Sequence, residues 1–236
     1  MGTPDPVLKF LLNHTFLVPM DIEHARFNMI EQQIRPWGVL DGDVLSALKY
    51  VGREAFVPPD YRHLAFADIE IPIGHSQNMM EPKLEARLLQ ALAPKPGENI
   101  LEVGTGSGYM TALLCHAGAN ITTVEIYPEL LRSADGALAA AGISDLSLEL
   151  GDASAGWGPE ASWDAILLTA SVPELPAAFP DSLVAGGRLV AVIGSGPAME
   201  AVRVDRDGGG ALSLSSLFDT RLAPLVNATT TPVFQL

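Results

Sequence analysis

The sequence predicts an α/β fold built on a doubly wound, mostly parallel sheet, with helices before the sheet and an antiparallel hairpin after it. Three observations predict this fold. Short apolar runs alternate with helix-like segments through the middle of the chain, which is typical of parallel strands joined by right-handed crossovers. One of these runs breaks into a glycine-rich turn at residues 104–108. Towards the carboxyl end, two further apolar runs flank a glycine cluster, as in a hairpin.

The N-terminal part of the chain is predicted to be helical and then extended. Apolar residues recur at helical spacing over residues 21–34, which predicts a first helix. A second helix is expected at residues 43–51, with Asp43 as its cap. Residues 67–77 are predicted to form strand and loop. A further helix begins at Pro82, because proline suits the first helical position.

The central strands are predicted where short apolar runs stand between turn residues. The expected strands are residues 99–103, 120–124, 146–150, 165–168 and 188–193, the helices between them are residues 109–117, 128–141 and 175–183, and the final hairpin strands are residues 201–204 and 212–218. We expect residues 20–236 to form one domain, with 20–95 as an N-terminal helical segment, 96–195 as the core and 196–236 as the C-terminal strands. Residues 1–19 are expected to be an extension.

Composition excludes several classes of function. The formal net charge is −14, from 14 basic and 28 acidic residues, and this balance disfavours nucleic-acid binding, which requires phosphate neutralisation by Lys and Arg. The single cysteine, Cys115, allows no intrachain disulfide and favours the cytoplasm. The histidines lack metal-ligand spacing, so no metal is expected. No apolar run reaches the length of a membrane span, and a signal peptide in residues 1–19 is the less favoured interpretation.

The glycine turn indicates a nucleotide-like ligand. Gly104, Gly106 and Gly108 follow a strand and precede a helix. Glu125 stands about twenty residues further on, at the end of the second strand, where a carboxylate can accept hydrogen bonds from both ribose hydroxyls. Asp152 ends the third strand at the same sheet edge and is suited to an adenine amino group.

The compressed spacing of the three glycines differs from that of dinucleotide-binding turns. Taken with the two acidic residues, it favours S-adenosylmethionine over NAD. The alternative, that the glycines only permit close packing of strand and helix, does not account for the acids. Glu102 lies within the apolar strand and is expected at its ligand end, bonded to the turn or to the ammonium of the methionine moiety. A purely structural bond to loop amides is the alternative.

Several segments resemble the protein-L-isoaspartate O-methyltransferases. The resemblance runs from about residue 29 to residue 193 and is carried by REAFVP, ADIEIPIGHSQ, LEVGTGSGY, VEIYPEL, GDASAGW, WDAILLTASVPELP and LVAGGRLVAVIG. The phrases IPIGHSQ and VPELP are its most specific parts, because the glycine motif alone fits many methyltransferases. The resemblance implies a Rossmann-like fold of the S-adenosylmethionine-dependent methyltransferase type.

The resemblance also implies an activity: methylation of the carboxyl group of isoaspartyl residues in damaged proteins. The net charge and the short apolar runs predict neither nucleic-acid nor membrane partners. Together with the glycine turn and the acidic residues, the resemblance gives these candidate cofactor-binding residues: Gln77, Asn78, Glu102, Gly104, Thr105, Gly106, Glu125, Ile126, Asp152 and Ala153.

The chain departs from the family in one loop. Where the family has G-Q-T-I-S-x-P, this chain has Asn78 in place of the threonine and Met80 in place of the active-site serine. Methionine cannot donate a hydrogen bond to a substrate carboxylate. Asn78 is the better candidate for the missing donor, ahead of Ser76 and His75, which are otherwise exposed loop residues. Two other functions stay open: methylation of another carboxylate or small metabolite, and S-adenosylmethionine binding without catalysis.

Two other segments have both a functional and a structural interpretation. Trp37 and Arg35 either meet the cofactor or a peptide substrate, or cap the sheet. Asp68 and Glu70 either orient or repel a substrate, or form a solvated strand face. For residues 217–236 the resemblance places no matching segment, although in the family this end helps to close the site.

Overall fold

A computed structural model describes residues 21–158 and 162–228. The extension expected at residues 1–19 lies outside the described residues. Among the residues that are described, no helix is long and apolar enough to cross a membrane.

The N-terminal segment is helical, as predicted, but its winding changes along its length. Helix α1 spans Ile22–Asn28, continues as a π-helical segment over Met29–Ile34 and ends in a 3-10 turn at Arg35–Trp37. Pro36 lies inside that last turn and prevents the helix from continuing, because it has no N–H to donate.

Helix α2 spans Gly42–Tyr50, and its cap is Asp41 rather than Asp43. The Asp41 carboxylate accepts from the amides of Asp43 at 2.9 Å and Val44 at 3.0 Å. The prediction of Asp43 as the cap was wrong because the helix begins one residue earlier. Asp43 lies in its first turn and uses its amide as a donor.

A hairpin and a helix link this segment to the main sheet. Strands β1 (Ile71–Gly74) and β2 (Gln77–Met79) pair antiparallel. Helix α3 spans Pro82–Leu92 and begins at the proline, as predicted.

The main sheet has seven strands. These are β3 (Asn99–Val103), β4 (Asn120–Glu125), β5 (Ser147–Leu150), β6 (Trp163–Val172), β7 (Leu183–Ser195), β8 (Ala198–Arg206) and β9 (Leu212–Thr220). They lie in the order β5-β4-β3-β6-β7-β8-β9, with the strands from β5 to β7 parallel and β8 and β9 antiparallel. The predicted mostly parallel sheet with a C-terminal antiparallel hairpin is confirmed.

Helices cover both faces of the sheet, but unequally. One face packs against α3, α4 (Tyr109–His116), α5 (Pro128–Ala140) and the N-terminal helices. The other face packs against the short helix α6 (Ala178–Asp181) and residues of the loops and tail. The longer helix predicted at residues 175–183 was wrong, because prolines interrupt the segment and β7 already begins at Leu183.

A buried arginine joins the N-terminal segment to α3. The Arg53 side chain is 1% exposed and donates to the carbonyl oxygens of Ala65 at 2.9 Å and Met80 at 2.7 Å. It also forms an ion pair with Glu85 of α3, which is 2% exposed. Burial raises the pKa of Glu85 to about 7, although Arg53 opposes this shift. Arg53 therefore ties three separate segments together.

Replacing Arg53 with Leu is expected to lower the free energy of unfolding by about 3–5 kcal/mol, because Glu85 and two carbonyls lose their buried partner. Urea unfolding followed by circular dichroism measures this change. Arg132→Leu is the matched control, since the Arg132 side chain is 73% exposed, and its effect should stay within about 0.5 kcal/mol. Equal effects of the two substitutions would contradict the role assigned to Arg53.

Candidate active site

A cleft opens where the carboxyl ends of β3, β4, β5 and β6 meet. It is lined by Gly104 and Gly106 after β3, Glu125 at the end of β4, Asp152 after β5 and Thr169 in β6. Its volume is about 580 Å³, including the part open to solvent. A cleft at the carboxyl edge of a parallel sheet is where such folds bind nucleotide-like ligands.

The turn after β3 approaches β6 very closely. Gly104 has φ 97°, and a Cβ at this position would overlap the hydroxyl of Thr169. That hydroxyl lies 2.9 Å from the carbonyl oxygen of Val103 and 2.6 Å from that of Gly104. Only glycine therefore fits at residue 104, because both the φ angle and the space exclude a side chain.

Glu125 is held by main-chain amides. Its Oε2 accepts from the amide of Gly106 at 2.9 Å, and its Oε1 accepts from the amide of Tyr127 at 3.0 Å. A carboxylate has about four acceptor sites, so each oxygen keeps capacity for another donor. The side chain is thus fixed at the cleft wall with capacity for the two ribose hydroxyls that the sequence predicted.

Asp152 is tied to the C-terminal tail. Its carboxylate accepts from the Ser154 amide at 2.9 Å and from the Asn227 side-chain amide at 2.8 Å. The Ser154 amide, followed by the Asn227 side chain, lowers the pKa of Asp152 below its usual value. Asp152 is therefore ionised at neutral pH and links the end of β5 to the tail.

The tail crosses the edge of the cleft beside β6. The amide of Ser171 donates to the Ala223 carbonyl at 2.8 Å, and its carbonyl accepts from the Leu225 amide at 2.7 Å. Leu225 and Val226 then line the cleft. Residues 222–226 thus form part of the site, as the family resemblance implied for this end of the chain.

Eight of the ten predicted cofactor-binding residues line the cleft: Gln77, Asn78, Gly104, Gly106, Glu125, Ile126, Asp152 and Ala153. Sequence reasoning missed other lining residues, among them Ile73, Tyr127, Leu130, Thr169, Ala170, Leu225 and Val226. Thr169 could have been predicted from the sequence, since it is a polar residue at the end of the apolar run of β6. The tail residues had none.

Glu102 and Thr105 lie outside the lining of the cleft. Glu102 is fully buried, and its Oε2 accepts from the Thr111 hydroxyl of α4 at 2.5 Å. Burial raises the pKa of Glu102 to about 8, so this carboxyl is mostly protonated at neutral pH. Among the described contacts Glu102 bonds to Thr111 rather than to the turn, and its contact with the methionine ammonium stays a prediction. The Thr105 hydroxyl lies 2.7 Å from that of Thr123, inside the core.

The three candidate donors of the substrate loop separate in the structure. Asn78 lines the cleft, and its side-chain amide donates to Glu70 at 3.1 Å. His75 and Ser76 form the tip of the β1–β2 hairpin with φ angles of 51° and 57°, outside the cleft lining. His75 stacks on Tyr127 with 4.5 Å between ring centroids. Asn78 is thus the only one of these three that lines the cleft.

Met80 does not face the cleft. Its side chain is 7% exposed and packs in the core that includes α3, while its carbonyl accepts from Arg53. The chain turns from β2 into α3 at this point, and Met80 packs in the core and is not part of the cleft lining. The site therefore has neither the family's serine hydroxyl nor an apolar replacement for it.

A larger groove adjoins the cleft, and we call it the outer groove. It is lined by residues of α3, by the turn between β7 and β8 and by the start of the tail. Residues 222–224 line the outer groove and residues 225–226 line the cleft. The hydrogen bond between Asn78 in the cleft and Glu70 in the outer groove also joins the two. The two spaces therefore share a wall.

A sequence model of protein-L-isoaspartate(D-aspartate) O-methyltransferases matches residues 25–230. The chain belongs to this family. A protein-L-isoaspartate O-methyltransferase 1 of Rhodopseudomonas palustris is 41% identical over 202 residues, covering 85% of this chain and 82% of that protein. The protein-L-isoaspartate O-methyltransferase of Gloeobacter violaceus is 38% identical over 197 residues, covering 84% of this chain and 96% of that protein.

A solved structure has the same fold. It is a protein-L-isoaspartate O-methyltransferase of Plasmodium falciparum in complex with S-adenosyl-L-homocysteine, which matches with a TM-score of 0.70 and 21% identity. The match covers 86% of this chain and 97% of that one. The family and the Rossmann-like fold predicted from the sequence are both confirmed.

Glu102→Gln is expected to change how stability depends on pH. The folded-state pKa of about 8 exceeds the unfolded value near 4.5, so the stability from this group is fully present below pH 4.5 and is lost as pH rises towards 8. In the wild type this loss of unfolding free energy reaches about 1.4 kcal/mol per pH unit, and replacement by Gln removes it. In urea unfolding at pH 5, 6.5 and 8, the free energy of unfolding of the variant should therefore rise relative to that of the wild type as the pH increases. Asp135→Asn, on the exposed face of α5, should show no such trend, and a pH-independent difference for Glu102→Gln would overturn the assignment.

Met80→Ser is expected to destabilise the protein without increasing its activity. Loss of a buried methionine side chain costs about 2–5 kcal/mol, whereas Met80→Leu nearly conserves volume and should cost under about 1.5 kcal/mol. Thermal unfolding and isoaspartyl-peptide methylation measure both properties. A large gain in methylation by the serine variant would show instead that the side chain of residue 80 reaches the acceptor.

Proposed function

We propose that this chain transfers a methyl group from S-adenosylmethionine to the carboxylate of L-isoaspartyl residues in proteins and peptides. The observation that carries the proposal is the amide-anchored Glu125 beside the glycine turn, in a chain that belongs to the isoaspartate methyltransferase family.

The residues of the cleft suit this cofactor. Glu125 offers fixed acceptors to the ribose hydroxyls, and the partly or fully buried side chains of Ile126, Leu130 and Ala153 offer apolar contact to an adenine ring. Asp152, ionised at neutral pH, accepts from an amino group. When bound, S-adenosylmethionine supplies a methyl group on a positively charged sulfur.

The acceptor requires little activation. An isoaspartyl carboxylate has a pKa of roughly 4 and is already ionised at neutral pH. It can act as the nucleophile without a general base, so the protein contributes mainly position and orientation. Asn78 supports this role, because its amide is a donor at the boundary between the cleft and the outer groove. The missing serine removes one orienting donor and leaves the nucleophile unchanged.

The outer groove suits a peptide. Its volume of about 2,100 Å³, including solvent-open space, exceeds what a single isoaspartyl side chain needs. The groove meets the cleft along residues 222–226, so a chain lying in it can place one carboxylate in the cleft. We assign the activity to the cytoplasm as part of the proposal, since Cys115 is a free thiol.

Labelled S-adenosylmethionine with an isoaspartyl peptide is expected to give label well above that of the aspartyl peptide of the same sequence. Glu125→Gln should raise the KM for S-adenosylmethionine about ten- to a hundredfold, because an NH₂ group then faces an amide donor and a charged acceptor is lost. Asp135→Asn serves as the matched control and should match the wild type.

Absence of isoaspartyl label, with S-adenosylmethionine binding demonstrated by calorimetry, would refute the proposed acceptor. Label on a metabolite extract in that case would indicate a small-molecule carboxylate. Binding without turnover of any acceptor would indicate a protein that binds the cofactor only.

A further inference from the structure

The outer groove contains an arginine, Arg87, that forms no ion pair with any carboxylate of the described residues. Arg87 of α3 lines the groove and is partly buried. Its guanidinium carbon lies 3.4 Å from the ring centroid of Phe218 in β9 and 5.7 Å from that of Trp37. Among the described residues, no carboxylate lies within ion-pair distance of Arg87, and no hydrogen bond from its guanidinium is found. Within the part of the chain that the structure describes, the partners of the Arg87 guanidinium are therefore the Phe218 and Trp37 rings.

The neighbouring groups of the groove differ from Arg87. Lys83, one turn earlier on α3, pairs with Asp68 at 2.7 Å and Glu81 at 3.0 Å. Glu70 accepts from Asn78. Asp68, Glu81 and Glu70 are thus engaged elsewhere, and Asp219, which also lines the groove, forms no ion pair with Arg87. Arg87 is left as a partly desolvated cation, and burial lowers its pKa without discharging it at neutral pH.

Stacking also determines how Arg87 can bind a ligand. A guanidinium with its face against a ring keeps its in-plane N–H groups for a second partner. Those groups form a planar fork that matches the two oxygens of a carboxylate. Trp37 and Phe218 hold the fork in place, so less side-chain entropy is lost when an anion binds.

We propose that Arg87 binds a second carboxylate of the peptide acceptor, one that flanks the isoaspartyl residue. This inference rests on the proposed function and specifies its substrate class. The reacting carboxylate is not the ligand, because Arg87 lies outside the lining of the cleft and a bidentate guanidinium would occupy both oxygens of the nucleophile. The chain prefers isoaspartyl peptides with an acidic side chain a few residues from the damaged site.

The test uses pairs of isoaspartyl peptides that share one sequence and differ at a single position, which is Glu in one peptide and Gln in the other. The varied position runs from three residues before the isoaspartyl group to three residues after it. For the wild type, Glu at one or more positions should lower the KM about three- to tenfold relative to Gln, with kcat nearly unchanged. Arg87→Gln should abolish this preference, and Arg87→Lys should restore part of it.

Two control variants separate binding from packing. Arg132→Gln lies on exposed α5 and should retain the preference. Arg221→Gln tests the exposed cation at the end of β9 in the same groove and should also retain it. A merely structural Arg87 would raise the KM equally for the Glu and Gln peptides.

The proposal is overturned if no position shows a Glu preference, if the preference survives in Arg87→Gln, or if it disappears only in Arg221→Gln. Methylation of the Gln peptides above their aspartyl controls reports separately on the proposed function. Failure of the two proposals is therefore distinguishable.

Discussion

The cofactor cleft depends on one close approach, that of the Gly104 main chain to the Thr169 hydroxyl. The contact fixes the turn after β3 against β6 through the carbonyls of Val103 and Gly104. With the turn fixed, the Gly106 amide lies within hydrogen-bond distance of Glu125 at the end of the next strand. The ends of β3, β4 and β6 are thus linked by hydrogen bonds in which a side chain of β4 or β6 meets main-chain groups of β3 or the turn. A carboxylate anchored in this way is already oriented before a ligand binds, which limits the entropy lost on binding.

Most of the sheet was predictable, because its signals are local. Apolar runs between turn residues gave β3 its observed bounds and placed Glu125 and Asp152 at one sheet edge. Strand alternation would have placed Glu102 correctly: Leu101 and Val103 pack on one face of the sheet, so Glu102 joins Ile100 on the face covered by α4. The prediction relied instead on position along the strand, which does not determine the face.

The parts that sequence could not predict depend on long-range contacts. The tail at residues 222–226 reaches the cleft through hydrogen bonds to Ser171, about fifty residues earlier in the chain, and no local pattern indicates such a pairing. The Met80 carbonyl accepts from Arg53, 27 residues earlier in the chain, and the Met80 side chain packs in the core. The serine-to-methionine change was visible in the sequence. Only this packing shows that the Met80 side chain lies in the core and not in the cleft.

The protein's overall charge determines where acceptor recognition must occur. A net charge of −14 repels anionic peptides at long range, but this repulsion is screened beyond about 8 Å at physiological ionic strength. Selectivity for a carboxylate must therefore come from contacts inside the groove. Lys83 contributes little net charge, because Asp68 and Glu81 pair with it. Arg87, with its guanidinium over the Phe218 ring and near Trp37, keeps its charge available. An acidic surface with one partly desolvated cation in its groove rejects anions in general and retains those whose carboxylate reaches that cation.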